Sequence, residues 1–207
     1  NLDSVRPKFK NRRIILEGGS IDVNGKGVLL TTRECLQSKI QERNIGFKRK
    51  DYEEIFKKFL GIKKVLWLNK GIVGDDTHGH IDDIARFVTS KKIFIAYEKN
   101  KNDVNYKKLR ENYQIIQKLN KKKEFEIIKI PMPNAKYIDG VRVPASYLNF
   151  YIANRIVLVP VFGDEKDKKI IKIFKKHFKN RKIIPIDCSL LIWGFGAIHC
   201  MTQQEPI

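Results

Sequence analysis

The feature that most limits the fold of this chain is a regular alternation of strand patterns and helix patterns without an intervening linker. A strand, a turn at Asn24 and Gly25 and a returning strand are predicted within RRIILEGGSIDVNGKGVLLTT. A short amphipathic helix, KDYEEIFKKFLG, follows and stops at Gly61, and KKVLWLN is the next predicted strand. The pattern is thus a group of strands with one helix.

The same grouping is predicted twice more along the chain. The strand KKIFIAY precedes a helix over 103–119 with one apolar face, and the strand FEIIKIPMP follows it. A hairpin that turns at Asn154 and Arg155 lies within YLNFYIANRIVLVPVFG, before the amphipathic helix DEKDKKIIKIFKKHF and the strand RKIIPID. A repeat of roughly 60 residues of this kind predicts an α/β fold arranged as a solenoid or a propeller-like ring.

Size and composition fit a packed globular protein of one domain or two small ones. The chain has 207 residues, of which 42% are hydrophobic, enough for a sizeable core. No apolar run approaches the roughly 18–20 residues that span a bilayer, and NLDSVRPKFKNRR lacks the apolar stretch of a secretory signal. Three scattered cysteines give no disulfide framework. We therefore expect a cytoplasmic protein with no membrane partner.

The net charge of +19 raises the question of nucleic-acid binding. The lysines are spread along the whole chain, and neither an aromatic–basic pattern nor a recognition-helix or zinc-finger spacing accompanies them. Dispersed charge favours a solvated basic surface over a specific nucleic-acid partner. Salt-dependent binding to duplexes is the alternative hypothesis.

Negative charge and imidazole groups concentrate in one segment, WLNKGIVGDDTHGHIDDIARF, between Trp67 and Phe87. This cluster could bind a metal, hold magnesium for nucleotide chemistry, or grip a cationic substrate. The sequence His78-x-His80-x-Asp82 is similar to the start of a zinc motif of metallo-hydrolases, but Asp83 occupies the position of the next histidine. The match of VGDDT to a polymerase motif is short and has no second acidic motif. No metal is therefore expected.

The third hypothesis needs a nucleophile, and Cys200 provides a candidate. It follows glycines in GFGAIHCMTQQ, where tight backbone can present a side chain, and it has an imidazole neighbour. A cysteine that acts with a histidine and carboxylates is typical of nucleophilic catalysis, and His80 is the candidate histidine. Cys35 and Cys188 are predicted to be small buried hydrophobic residues.

Four long motifs carry a family resemblance over essentially the whole chain. LEGGSIDVNGKGVLLTT, WLNKGIVGDDTHGHIDDIARFV, NFYIANRIVLVPVFGDE and GFGAIHCMTQQEP resemble, in this order, the agmatine deiminases and the related bacterial peptidylarginine deiminases. The resemblance implies a five-bladed propeller of ββαβ units. It also implies hydrolysis of agmatine to N-carbamoylputrescine and ammonia, in polyamine biosynthesis, without a metal or organic cofactor.

The resemblance assigns catalytic roles to three residues. Cys200 is the expected nucleophile that attacks the guanidinium carbon, His80 is the expected general acid and base, and Glu17 is expected to orient His80. The family chemistry passes through a covalent thiouronium intermediate on the cysteine.

Three further residues are expected to bind the substrate. Asp82 would grip the guanidinium nitrogens, because a carboxylate matches the planar fork of a guanidinium. Gly196 is expected where a glycine turn approaches the substrate, and Asp76 is expected at the same pocket. Asp75 and His78 are expected only to brace the loop.

Two departures from the family pattern affect these expectations. Phe195 interrupts a run of glycines before the cysteine, which puts the shape of the substrate pocket in question. The chain also lacks the upstream tryptophan-x-arginine-aspartate motif that carries a second guanidinium carboxylate. It is therefore expected to be the C-terminal portion of one deiminase domain, nearly inactive by itself.

The remaining N-terminal portion of the same enzyme is its expected partner, and a homo-oligomer is possible. A peptidylarginine deiminase and an inactive fragment are the alternative functions.

Overall fold

The computed structural model describes residues 6–205 and contains three successive three-stranded sheets. A small hairpin of β1 (Lys8–Phe9) and β2 (Arg12–Arg13) precedes them. The strand predicted to start at Arg12 is therefore divided. Its first residues pair in this hairpin, and the strand of the first large sheet begins only at Ile21, after a 3-10 turn at Gly18–Ser20.

The first unit runs from Ile21 to Leu68 in the order ββαβ. Strands β3 (Ile21–Val23) and β4 (Val28–Thr32) are antiparallel; helices α1 (Arg33–Gln37) and α2 (Arg49–Leu60) then lead to β5 (Lys64–Leu68), which is parallel to β4. The predicted turn at Asn24 is present, with the side-chain oxygen of Asn24 accepting two backbone N–H groups. Gly61 ends α2 in the left-handed conformation, at φ 65°, which a residue without Cβ adopts most easily.

The second unit repeats this topology. Strands β6 (Ala85–Thr89) and β7 (Lys92–Tyr97) are antiparallel, and α3 (Tyr106–Leu119) crosses to β8 (Glu126–Pro131), which is parallel to β7. The strand β6 was not predicted. Its residues follow directly from the acidic cluster and are nearly all buried, so they lack the alternating pattern of a half-exposed strand.

The third unit follows a small hairpin of β9 (Lys136–Ile138) and β10 (Val141–Val143) that the sequence analysis also missed. Strands β11 (Tyr151–Ile152) and β12 (Ile156–Val161) are antiparallel around the predicted two-residue turn. The helix α4 (Asp167–His177) leads to β13 (Lys182–Asp187), parallel to β12. The predicted repeat of strands with one helix is thus confirmed.

Large apolar side chains join the units. In the centre of the core, the rings of Phe94 from β7, Phe174 from α4 and Phe150, just before β11, pack edge to face at centroid distances of 5.1–6.3 Å. A second cluster of apolar residues around Tyr52 and Trp67 fills the space under α2. Within residues 6–205, no helix is long and apolar enough to cross a membrane.

One buried ion pair connects all three units. Arg86 in β6 donates to Asp22 of β3 at 2.8 Å and to the backbone carbonyls of Leu148 and Phe150 at 3.3 and 3.0 Å. The second oxygen of Asp22 accepts the backbone N–H of Phe87 at 2.6 Å. The side chains of Arg86 and Asp22 are only 3% and 12% exposed, so each depends on the other for compensation of its charge.

Replacing Arg86 by methionine should destabilise the protein by about 3–5 kcal/mol, because the buried carboxylate of Asp22 loses its partner. The matched control is Lys92→Met, which breaks the exposed pair with Glu126 and should cost at most about 1 kcal/mol. Urea unfolding followed by circular dichroism measures both. Equal midpoints for the two variants would contradict the structural role of Arg86.

Candidate active site

The predicted site residues come together at one polar pocket of about 380 Å³. Its walls come from residues 17–19, 76–82 and 194–204, which lie before the first unit, between the first two units and after the third. All six residues predicted from the sequence line it: Glu17, Asp76, His80, Asp82, Gly196 and Cys200. A larger surface depression of about 710 Å³ beside α2 has no histidine or cysteine in its wall.

The loop that carries His80 is shaped by Asp75. Its carboxylate accepts the backbone N–H groups of Thr77, Gly79 and His80 at 2.8, 2.7 and 3.2 Å, which supports the expectation that Asp75 braces the loop. His78 has a left-handed backbone, φ 59°, and its ring bonds the carbonyl of Asp76. The side chain of His78 is therefore used within the loop.

Asp82 is fully buried and lies between two groups of the C-terminal segment. One of its oxygens, Oδ2, is 2.7 Å from Nδ1 of His199 and 3.6 Å from the sulfur of Cys200. Its other oxygen, Oδ1, is buried with no hydrogen-bond partner among residues 6–205. A buried carboxylate oxygen without a donor is costly, and a cation in the pocket would compensate it.

Asn149 holds the segment that carries Cys200. Its side-chain oxygen accepts the backbone N–H groups of His199 and Cys200 at 2.9 and 3.2 Å. These two donors fix the orientation of the amide, so Nδ2 faces the sulfur of Cys200 at 3.0 Å and Oδ1 of Asp83 at 3.1 Å. Asn149 is fully buried, and its amide therefore provides a rigid donor to the sulfur.

Glu17 and His80 form a pair on another wall of the pocket. Oε2 of Glu17 is 3.7 Å from Nε2 of His80, within ion-pair range but longer than a hydrogen bond. Oε1 of Glu17 accepts a hydrogen bond from Arg43 at 2.9 Å, and Arg43 also donates to the carbonyls of Cys35 and Thr77. Burial raises the pKa of Glu17, but His80 and Arg43 outweigh this effect and lower it to about 2. Glu17 is thus an anion at any ordinary pH.

Desolvation and nearby carboxyl groups disfavour the thiolate form of Cys200. Cys200 is open to solvent at the pocket, yet desolvation of its sulfur by the surrounding protein, together with Asp82 and Asp83, raises its pKa above the usual range. The hydrogen bond from Asn149 acts in the opposite direction. Burial and the carboxylates of Asp82 and Asp75 also raise the pKa of Asp83.

The other two cysteines are buried, as predicted. Burial raises the pKa of Cys35 to about 12 and that of Cys188 to about 11, so both are protonated thiols at neutral pH. Because Cys200 alone among the three lines the pocket, it is the candidate nucleophile on geometry as well as on sequence.

Glycines allow close approach at two positions. A Cβ at position 19 would lie 2.5 Å from Nδ1 of His80 and 2.8 Å from Oδ2 of Asp82. Glycine at this position therefore leaves room for both side chains. A Cβ at Gly196 would lie 2.7 Å from Cβ of Cys200, so this glycine gives room to the side chain of Cys200 as well as lining the pocket. Phe195, which interrupts the glycines, adopts a left-handed backbone with φ 58°.

The sequence analysis missed three residues of this site: Asn149, Arg43 and His199. His199 was noted only as a neighbour of Cys200, although its ring contacts Asp82. Asn149 lies within a quoted motif but has no charge that would single it out, and Arg43 is one of 42 basic residues. Their contacts join positions 26 to 117 residues apart, which no local pattern reveals.

Replacing Asn149 by aspartate should make Cys200 less reactive. The change keeps the acceptor for two N–H groups but places an acceptor or a negative charge against the sulfur. A hydrogen bond to a charged group contributes about 1.5–3 kcal/mol, so the pKa of Cys200 should rise by about one to two. The rate of alkylation by iodoacetamide against pH, followed by mass spectrometry, measures this.

The matched control for this experiment is Asn112→Asp. Asn112 is also fully buried, but its side chain bonds only Asn69 and Lys70. The control should leave the alkylation profile of Cys200 unchanged. Identical profiles for Asn149→Asp and the native chain would show that the amide does not act on the sulfur.

Comparison with known proteins places this site in a family. The model of the Porphyromonas-type peptidyl-arginine deiminase family matches residues 2–206. An agmatine deiminase of Medicago truncatula is 35% identical over 229 residues, covering 99% of this chain and 60% of that protein. The chain thus spans about 60% of the length of the curated relatives that it matches.

Solved structures show the same fold and the same family. An agmatine deiminase of C. jejuni with substrate bound has a TM-score of 0.85 and 34% identity, covering 92% of this chain and 56% of that one. The agmatine deiminase of Enterococcus faecalis has a TM-score of 0.84 and 32% identity, covering 93% and 57%. From the family match over nearly all its residues and this common fold, the chain belongs to the Porphyromonas-type peptidyl-arginine deiminase family.

Proposed function

We propose that this chain carries the catalytic machinery of an agmatine deiminase, which hydrolyses a guanidinium to a ureido group and ammonia. The observation that supports this best is the meeting of Cys200 and Asp82, at 3.6 Å, in a polar pocket that Glu17 and His80 also line. A nucleophile, a buried carboxylate and a histidine–carboxylate pair are the set that guanidine hydrolysis needs.

Asp82 provides the grip for the guanidinium. Its Oδ1 is a buried acceptor without a hydrogen-bond partner among residues 6–205, and a guanidinium offers several N–H donors in one plane. Because Oδ2 is 3.6 Å from the sulfur, a guanidinium nitrogen bound to this carboxylate places the central carbon next to Cys200. Asp76, which is exposed at the pocket, is proposed as a further contact of the substrate, and Gly196 as part of the wall that leaves room for it.

Binding of the cation also prepares the nucleophile. Without a bound cation, desolvation of the sulfur, together with Asp82 and Asp83, raises the pKa of Cys200 above its usual range, so the thiol holds its proton. A guanidinium neutralises the carboxylate of Asp82 and adds positive charge beside the sulfur, and both effects favour the thiolate. The substrate thus helps to generate the group that attacks it.

The reaction then proceeds in two balanced steps. The thiolate of Cys200 adds to the guanidinium carbon, His80 gives a proton to the departing nitrogen, and ammonia leaves an S-alkylthiouronium on the cysteine. Water, deprotonated by His80, attacks the same carbon; the C–S bond breaks, Cys200 leaves as thiolate, and the protonated ureido product gives up its extra proton to solvent. Glu17, held ionised by His80 and Arg43, orients His80 and stabilises its protonated form.

We also propose that the three units belong to a five-bladed ring. Three ββαβ units are three of the five blades that a full ring contains, which agrees with the share of about 60% of the relatives' length that this chain matches. A second carboxylate for the guanidinium would then come from outside residues 1–207. Without it, binding should be weaker by about 2–5 kcal/mol, roughly thirtyfold to several thousandfold.

The activity itself is tested by measuring ammonia and N-carbamoylputrescine released from agmatine, by the chain alone and after addition of the N-terminal part of a full-length relative. We expect little turnover alone, a large increase on addition, and none with Cys200→Ser. Cys188→Ser, which changes a buried cysteine outside the pocket, is the control and should stay active. Turnover by Cys200→Ser would refute the mechanism.

Peptidylarginine is the second candidate substrate, because the family model that matches the chain is described by that activity. A peptide containing arginine should be turned over with a much lower kcat/KM than agmatine in the same assay. Citrulline formation with a comparable kcat/KM would assign the chain to protein deimination instead.

Binding of a guanidinium should change the ionisation of Cys200. Methylguanidinium should lower the pKa of Cys200, whereas methylammonium, which cannot pair with a carboxylate through a planar fork, should lower it less. The thiolate absorbance in the ultraviolet, taken as the difference between the native chain and Cys200→Ser across a pH titration, measures it. An equal pKa with both cations would contradict binding at Asp82.

A further inference from the structure

We propose that Glu17, Cys35 and His80 form a binding site for zinc on the Nε2 side of His80, and that zinc bound there inhibits the enzyme. The inhibition rests on the proposed function, since it requires His80 to move protons in the reaction. The site itself rests only on the geometry of these three residues.

The three side chains converge. One ligand atom from each, a carboxylate oxygen, a sulfur and an imidazole nitrogen, lies within 4.8 Å of the other two. Oε2 of Glu17 and Nε2 of His80 are 3.7 Å apart. Tetrahedral zinc with bonds of about 2.0–2.3 Å keeps its ligand atoms about 3.3–3.8 Å apart, so the site needs to close by only about 1 Å.

Two of these atoms face each other at ion-pair distance but form no hydrogen bond in the part of the chain that the structure describes. Oε2 of Glu17 and Nε2 of His80 are buried, and neither has a hydrogen-bond partner within residues 6–205. His80 is only 7% exposed. An unpaired buried polar group costs about 1–3 kcal/mol, and a single cation between the two atoms would satisfy both.

The three ligand atoms match the coordination preference of zinc. Thiolate, imidazole and carboxylate together suit zinc, whereas magnesium and calcium prefer oxygen ligands only. Three protein ligands leave a fourth position for water. Glu17 connects the site to the pocket, since its side chain is 37% exposed there, and this gives the metal a route of entry.

The charges around the site favour this assignment. Arg43 repels a cation, but it also fixes Oε1 of Glu17 and leaves Oε2 directed away from that bond. On binding, Cys35 releases its proton to solvent, and its thiolate with the carboxylate of Glu17 neutralises the two charges of zinc. Zinc on Nε2 takes the place of the proton that Glu17 stabilises there, so His80 can no longer form the imidazolium that gives a proton to the departing nitrogen.

Cobalt provides the direct test, because cobalt bound to a thiolate has a charge-transfer band and intense visible bands in a tetrahedral site. The Cys200→Ser chain, whose remaining cysteines are Cys35 and Cys188, should develop these bands when titrated with Co²⁺ and lose them when Zn²⁺ is added. The further change Cys35→Ser should abolish the bands. Cys188→Ser in the same background is the matched control and should retain them.

A persistent cobalt–thiolate spectrum without Cys35, or no such spectrum with it, would overturn the site. His80→Ala in the Cys200→Ser chain adds a second check, and it should weaken cobalt binding by about tenfold or more, since even the loss of an outer partner of a metal ligand costs about 10–100-fold. An unchanged affinity would remove His80 from the ligand set.

The inhibitory effect is measured as agmatine hydrolysis against free Zn²⁺. The native chain, with the N-terminal part of a relative added, should be inhibited, and Cys35→Ser should need about tenfold or more zinc for the same inhibition. Equal inhibition of both would show that zinc acts elsewhere, for example at Cys200. Absence of turnover would instead count against the proposed function, because the cobalt spectrum requires no catalysis.

Discussion

The buried ion pair of Arg86 and Asp22 is the interaction on which the arrangement of the three units depends. Asp22 lies in β3 of the first unit and Arg86 in β6 of the second. Arg86 also donates to the backbone carbonyls of Leu148 and Phe150, just before β11 of the third unit. Neither charge can be buried alone without a large penalty, so the pair makes the packing of the units mutually dependent. The pocket is lined by segments that precede, join and follow these units, and its geometry follows from that packing.

Within the pocket, negative charge is concentrated in a protein whose net charge is +19. Asp82 is buried at the wall of the pocket, and Glu17 is held as an anion. Desolvation of the sulfur, together with Asp82 and Asp83, disfavours the thiolate of Cys200. In the proposed mechanism a bound cation offsets this effect, so the same arrangement would link selectivity for a cationic substrate with activation of Cys200.

The polar contacts around the reactive groups form two separate sets. On one side Asp83, Asn149 and the backbone of His199 and Cys200 fix the sulfur. On the other side Arg43 fixes Glu17, and Asp75 fixes the backbone of His80. Each of these side chains is therefore positioned by a partner that makes further hydrogen bonds, which fixes the connecting segments that line the pocket. The zinc site proposed here uses atoms of the second set that these partners leave free.

The sequence by itself predicted a repeat of strands with one helix and most strand and helix positions, because periodicity and turn residues are local signals. Its long motifs, through the family resemblance, pointed to six of the residues that line the pocket. It did not reveal β6, which is buried on both faces, or the hairpin of β9 and β10. It also missed Asn149, Arg43 and His199, whose partners are far along the chain. Only the tertiary structure decided which donors meet the sulfur, which carboxylate oxygens remain unpaired and which charges are buried together. These are long-range contacts, and their energies depend on burial, which no stretch of sequence specifies locally.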